Sequence, residues 1–489
     1  MSFNNNSADG LHRPIDNNNS IYPPFRSWLG IPYATAKRFR KPTLVPFDPN
    51  QPYDKKGPAS IQAGDTSWLD SDNGTSEDCL NLNIWAPAEA NEPLPVVVYI
   101  HGGGFEYGAN TQITSNLSGL ASTGQVVGVS INYRLGVLGW LSLSQYGGVF
   151  EDATNLGLQD VITALQWVKQ NIVCFGGDPE NVTVTGHSAG AFISAALLAA
   201  PSADGLYHRL AVFSGGASRI VPAWWAEELA HKVLTELGFQ NDPEQLLTVD
   251  AQLLAETLIK VSLRDIGDKN GVDNNTIGIV NDHTFPGSVI SETPLAVLKS
   301  GRHRDIDILF SSATNEADWW VINATKSFDP GSVDNIVDQL VMKSRIPRSR
   351  AKRIVDVYNV DGRTPVEVRG ALLTDYIYTL PASRAAISHA AAGGNAYLLR
   401  IGPSEGAPAV HGTEMYGIVG QQVPGGSADQ LTRDTLVRDT LISLATGKTN
   451  QLWQSVGMEP TTKGIGRIPY DSTVYSNEVL STFEGIDRT

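Results

Sequence analysis

One pentapeptide constrains this chain more than any other stretch: Gly186-His187-Ser188-Ala189-Gly190. It lies between a β-branched run at residues 181–185 and an alanine-rich helical pattern at 189–199. A strand–turn–helix of this kind forces the central serine into a strained backbone conformation, and the flanking glycines allow the strand and helix to approach closely. It also sets Ser188 at a helix N-terminus, where free N–H groups and the macrodipole favour a developing negative charge. The Gly-x-Ser-x-Gly pattern alone is weak in a chain with 47 glycines. It recurs at Gly402-Pro403-Ser404-Glu405-Gly406, but Ala-Pro-Ala-Val follows there and offers no helix, so the second copy reads as a polar turn.

The surrounding pattern supports the first copy. Short apolar runs at residues 96–100, 126–132, 210–214, 306–310 and 395–401 read as buried strands. Between them, residues 157–173 and 428–444 carry apolar side chains at three- and four-residue spacing. This predicts an α/β fold with a mostly parallel central sheet flanked by helices. Helical patterns dominate from about 222 to 378, around the strand at 306–310. The expected organisation is a flexible tail over residues 1–20 and a single domain over 21–489, with a helical insertion near its middle.

Composition excludes several classes. The 36 Lys and Arg against 51 Asp and Glu give a net charge of −15, with no basic run, which argues against nucleic acid as a partner. The Asn-rich start has no apolar stretch of the kind an export signal carries, and the longest apolar run, near residues 94–100, is too short for a membrane anchor. Cys79 and Cys174 alone make neither a disulfide framework nor a zinc site. A cytoplasmic protein acting on a small molecule is the expectation.

His101-Gly102-Gly103-Gly104-Phe105 follows the strand at 96–100. Consecutive glycines let a backbone turn its N–H groups toward one point. Gly103, Gly104 and Ala189 are thus candidate donors to an oxyanion beside Ser188. A serine nucleophile needs a base, and the base an orienting acid, in the order Ser, acid, His for this kind of fold. His389 and His411 are the late histidines; His389 reads as an exposed helix residue, and His411 lies in a loop. After the strand at 306–310, Glu316 and Asp318 both qualify as the acid, and spacing does not choose between them.

Read in order, the motifs resemble the type-B carboxylesterase family of α/β-hydrolases, which includes cholinesterases and fungal lipases. The resemblance rests on Gly30-Ile31-Pro32-Tyr33-Ala34 with Arg38-Phe39, Ser76-Glu77-Asp78-Cys79-Leu80-Asn81-Leu82-Asn83 and the glycine loop. Asn132-Tyr133-Arg134-Leu135-Gly136, Asn155-Leu156-Gly157-Leu158-Gln159-Asp160, Phe175-Gly176-Gly177-Asp178-Pro179 and the serine turn continue it. It closes with Asn315-Glu316-Ala317, His411-Gly412-Thr413-Glu414, Thr446-Gly447 and Ile468-Pro469-Tyr470, and covers about residues 28–475.

The resemblance implies a Ser188–Glu316–His411 triad, settling the acid, and hydrolysis of a small-to-medium organic ester through an acyl-enzyme with no metal or organic cofactor. It also implies buried ion pairs Arg38–Glu77 and Arg134–Asp178, and pocket positions for Trp68, Trp224 and Trp225. The chain departs from the family at His187, where glutamate is usual, at Ala317, which replaces a glycine, and in a short connection from Ala34 to Arg38. It also departs at Ser60, where a disulfide partner of Cys79 is expected. The same triad would serve an acyltransferase or lactone-forming enzyme; a non-catalytic scaffold relative is the third reading.

Overall fold

The computed structural model describes residues 24–262, 276–283, 288–324, 328–360, 362–449, 455–456, 461–467, 471–473 and 481–486. The expected tail at 1–20 and the motif at 468–470 lie outside the described residues. Ten strands form one twisted sheet: β1 Phe25–Pro32, β2 Asn81–Pro87, β3 Leu94–Ile100, β4 Val127–Ile131, β5 Gly177–His187, β6 Arg209–Phe213, β7 Asp307–Ala313, β8 Ala396–Ile401, β9 Thr461–Ile465 and β10 Asp471–Thr473. Their order across the sheet is β1-β2-β4-β3-β5-β6-β7-β8-β9-β10. Pairing is parallel from β4 through β9 and antiparallel at the two ends.

The central strands are apolar throughout because both of their faces are covered. Val96, Val98 and Ile100 of β3 join one apolar cluster, and Val97 and Tyr99 join the other. Helix α1, Leu156–Asn171, packs Leu158, Val161 and Leu165 into the first cluster. Helix α6, Ala428–Ala445, packs Val437, Leu441 and Leu444 into the second. This is the layered α/β arrangement that the alternating patterns require.

Between them run α2 Ala189–Ala196, α3 Ala223–Leu237, α4 Pro365–Thr374 and α5 Leu380–Ala391, with further helices between Ala251 and Tyr358. The helix-rich region is divided by β7, which enters the main sheet. It also holds a short parallel pair, Ile220–Pro222 with Ile279–Asn281, that the sequence pattern did not reveal. No helix among the described residues is long and apolar enough to cross a membrane.

Two expectations need correction. Arg134 pairs with Asp160, not Asp178: Nε donates to Oδ2 at 2.8 Å and Nη2 to Oδ1 at 2.7 Å. Asp160 projects from α1 into the buried layer beneath Arg134, whereas the Asp178 carboxylate accepts the Glu180 N–H at the opening of β5. His389 is buried rather than exposed, its Nε2 2.8 Å from the Ile306 carbonyl. A Cβ at Gly394 would meet that ring, so the glycine after α5 makes the room for it.

Other expectations are met. Arg38 and Glu77 form the expected pair, bidentate, though it is part-exposed rather than buried. Cys79 and Cys174 are free thiols. Cys79 faces Ser60, and burial pushes its thiol up to about 12, so it is inert.

Candidate functional site

The site is assembled at the carboxyl ends of β3, β5, β6, β7 and β8, where an open parallel sheet presents its loops. Ser188 caps α2 with φ +56° and ψ −120°, a strained conformation for a residue with a Cβ. It is held there by its N–H to the Phe213 carbonyl, 3.0 Å, and by the Ala191 and Phe192 N–H groups on its own carbonyl. The flanking glycines are steric necessities. A Cβ on Gly186 would sit 2.4 Å from the Gly190 backbone, and one on Gly190 would sit 2.0 Å from the Ile100 oxygen.

The glycine loop lies directly against this turn. A Cβ on Gly102 would come within 2.8 Å of the His187 oxygen and 3.2 Å of Ser188 Cβ. Gly103 has φ +111° and Gly104 φ +65°. Both are exposed, and among the described residues neither N–H donates to another group. The loop is anchored from behind: Tyr133 Oη donates to the His101 carbonyl at 2.9 Å, and the two rings stack at 4.5 Å. Burial pushes His101 down to about 4, so it is a neutral wedge.

From the other side, the loops after β7 and β8 are stitched together by Asn315 N–H to the Ala409 carbonyl and His411 N–H to the Glu316 carbonyl. That brings His411 Nε2 to 2.9 Å from Ser188 Oγ and His411 Nδ1 to 2.6 Å from Glu316 Oε2. Glu316 is fully buried, and its Oε1 accepts the Ala313 N–H and the Ser214 hydroxyl, each at 2.7 Å. Burial raises the Glu316 carboxyl, against the lowering effect of those donors and of Arg400. Burial likewise holds His411 below its ordinary value, which leaves it neutral and able to accept a proton. Asp318, the other acid candidate, turns away to Asn315 Nδ2 at 3.0 Å.

Three rings surround His411: His187 at 4.6 Å between centroids, Tyr378 at 4.8 Å and Trp320 at 5.2 Å. None of the aromatic positions expected from sequence is among these three rings. Trp68 and Trp224 are about half exposed, Trp68 bonded to its own loop at Asp65, and Trp225 is buried against Trp224. Trp320 and Tyr378 were missed. Tyr378 stands on a π turn, Asp375–Thr379, between α4 and α5, a wider helical turn with no sequence signature. Ser214 and Glu414, which meet at a short hydrogen bond behind Glu316, were likewise not singled out for a role.

The Carboxylesterase family matches residues 8–446, and the chain belongs to it. Para-nitrobenzyl esterase of Bacillus subtilis is 32% identical over 308 residues, 63% of this chain. The match spans 59% of that relative's own length. Cholinesterase 1 of Branchiostoma lanceolatum is 36% identical over 273 residues, 54% of this chain and 74% of that one. Among solved structures, a Geobacillus stearothermophilus carboxylesterase superposes with a TM-score of 0.83 at 25% identity, covering 97% of this chain and 98% of its own. The fold is therefore the α/β-hydrolase fold.

Proposed function

We propose that the chain is a serine hydrolase of carboxylic esters working through an acyl-enzyme. The observation that carries the reading is the continuous chain Ser188 Oγ–His411–Glu316, at 2.9 and 2.6 Å, starting from a strained serine at a helix N-terminus. His411 Nε2 takes the Ser188 proton as Oγ attacks the ester carbonyl. Glu316 fixes the tautomer with the proton on Nδ1 and stabilises the imidazolium that forms. The Gly103 and Gly104 N–H groups, with that of Ala189 as a first-turn donor without an intrahelical partner, hold the oxyanion. His411 then protonates the leaving alcohol and activates water against the acyl-enzyme. Trp320 and Tyr378 give the histidine side an aromatic wall, which favours uncharged or aromatic esters over highly charged ones.

The test is hydrolysis of a short-to-long acyl p-nitrophenyl ester series by the wild type and Ser188→Ala. Turnover should fall by about 10⁶ in a still-folded Ser188→Ala variant. Undiminished turnover in that variant would refute the assignment. Release of an acylated alcohol rather than the free acid, when an alcohol is supplied, would make the protein an acyl transferase with the same triad.

A further inference from the structure

Behind the triad lies a second, fully enclosed acid. Glu414 is completely buried, one turn beyond His411, and its Oε1 makes a short hydrogen bond to Ser214 Oγ. The same Ser214 oxygen is 2.7 Å from Glu316 Oε1. One hydroxyl thus bridges two buried carboxyl groups, and a hydroxyl has a single proton to give.

The proton count decides the arrangement. With His411 Nε2 free to accept from Ser188, Nδ1 carries the ring proton and donates to Glu316 Oε2. Ala313 N–H donates to Glu316 Oε1, so both Glu316 oxygens are acceptors, and Glu316 is the ionised carboxyl. Were Glu414 also ionised, Ser214 would satisfy one carboxylate and present a lone pair to the other at short range. A proton on Glu414 Oε1 removes the conflict: Glu414 donates to Ser214, and Ser214 donates to Glu316.

We propose, building on the triad reading above, that Glu414 is a neutral carboxylic acid and a positioning residue, fixing Glu316 through Ser214 so that His411 meets one negative charge rather than two. The groups that face Glu414 fit a proton held there. His187 Nε2 is 3.8 Å from Glu414 Oε1, beyond hydrogen-bond range, and both it and Glu414 Oε2 are buried without a partner among the described residues. His187 is held below its ordinary value, first by burial and then by His411, which weakens the pull it exerts on Glu414. Tyr99 approaches from β3 with a buried hydroxyl that has no hydrogen-bond partner among the described residues. Glu316 adds a repelling charge, and Arg400 of β8 acts on Glu316. Burial raises the Glu414 carboxyl in the same direction, outweighing the opposite pull of His187. The imidazole at position 187 is therefore more than a spectator, because a carboxylate there would be a third acid in one dry pocket.

The test uses the full chain and two independent readouts. In infrared difference spectra at neutral pH, Glu414→Gln should lose the carbonyl band of a protonated carboxylic acid, and Ser214→Ala should shift that band. Loss of carboxylate bands in Glu414→Gln overturns the proposal, as does a protonated-acid band that Ser214→Ala leaves in place. The Ser214 variant decides the matter if Glu414→Gln does not fold. The second readout is the acid limb of kcat/KM. Ser214→Ala removes a donor from Glu316 and should move the limb up by about one pH unit, because the Glu316–His411 couple then holds a proton more tightly. Glu414→Leu should move it the same way, and Glu414→Gln, which keeps an N–H donor toward Ser214, should restore its position. A limb that drops by about one pH unit in Glu414→Gln would instead show that a fixed negative charge had been removed. The infrared result stands whether or not Ser188 is the nucleophile, so failure of the two readings can be told apart.

Discussion

The two walls of the site are built of different material. The Ser188 wall is backbone: a positive-φ serine, glycines whose missing Cβ atoms let three segments touch, and glycine N–H groups that donate to nothing else among the described residues. The His411 wall is side chain: His411 bonds a serine 223 residues away, and Ser214 joins Glu316 and Glu414 from 102 and 200 residues away. A backbone wall admits little substitution, because at Gly102, Gly103, Gly186 and Gly190 a Cβ meets backbone that cannot yield. A side-chain wall can be retuned, which is how the chain accommodates His187 and an aromatic pair, Trp320 and Tyr378, around the same histidine.

The comparison can be broken at its foundation. Asp160 holds both the backbone N–H and the guanidinium of Arg134, and Gly136, two residues on, donates to the Phe105 carbonyl at the end of the glycine loop. Asp160→Asn should leave a buried cation unpaired and cost about 3–5 kcal/mol in urea unfolding. Asp178→Asn should stay within about 0.5 kcal/mol. Equal losses in the two variants would return the ion pair to Asp178.

Within the backbone wall, the two exposed glycines should behave differently. A Cβ on Gly103 would lie 2.0 Å from the Tyr107 oxygen, whereas one on Gly104 meets nothing within 4 Å. Gly103→Ala should lower kcat by about 10²–10³, the value of a lost oxyanion donor. Gly104→Ala bears only the strain of its positive φ and should lose about tenfold. Steady-state kinetics on one p-nitrophenyl ester separates the two, and identical losses would mean that the loop repacks freely.

A pH-dependent effect sharpens the side-chain wall. His187 is held neutral in the folded protein, down to about 3, against an ordinary value of 6.5. The unfolded chain therefore binds an extra proton below pH 6.5. Stability is undiminished above that pH and falls as pH drops toward 3. His187→Gln should flatten the decline of the urea midpoint between pH 6.5 and 4; an unchanged slope would mean that other buried groups, His101 and His411 first, carry all of it.

Legibility followed the same division. The serine turn, the glycine loop and the strands beneath them could be read locally, since glycine spacing and β-branched runs record what the backbone must do. Glu316 and His411 could be located only as positions after the right strands, and choosing Glu316 over Asp318 took the family resemblance. Trp320, Tyr378 and the role of Ser214 stayed hidden because their partners are distant in sequence and, for Tyr378, because a π turn sets the register. Arg134 was matched to the wrong acid for a related reason: Asp178 and Asp160 stand in neighbouring motifs, and only the rotation of α1 aims Asp160 into the core. His389 was misread because an alanine-rich helix looks solvent-facing until the sheet it covers is known.

The central claim is that Ser188, driven by His411, is the nucleophile. The most direct measurement is the intact mass of the protein after exposure to a fluorophosphonate, followed by peptide mapping. The account predicts a single adduct, on the peptide carrying Ser188, formed by the wild type and absent from both Ser188→Ala and His411→Ala. No adduct on a folded wild-type protein, or an adduct that survives in Ser188→Ala, would contradict it.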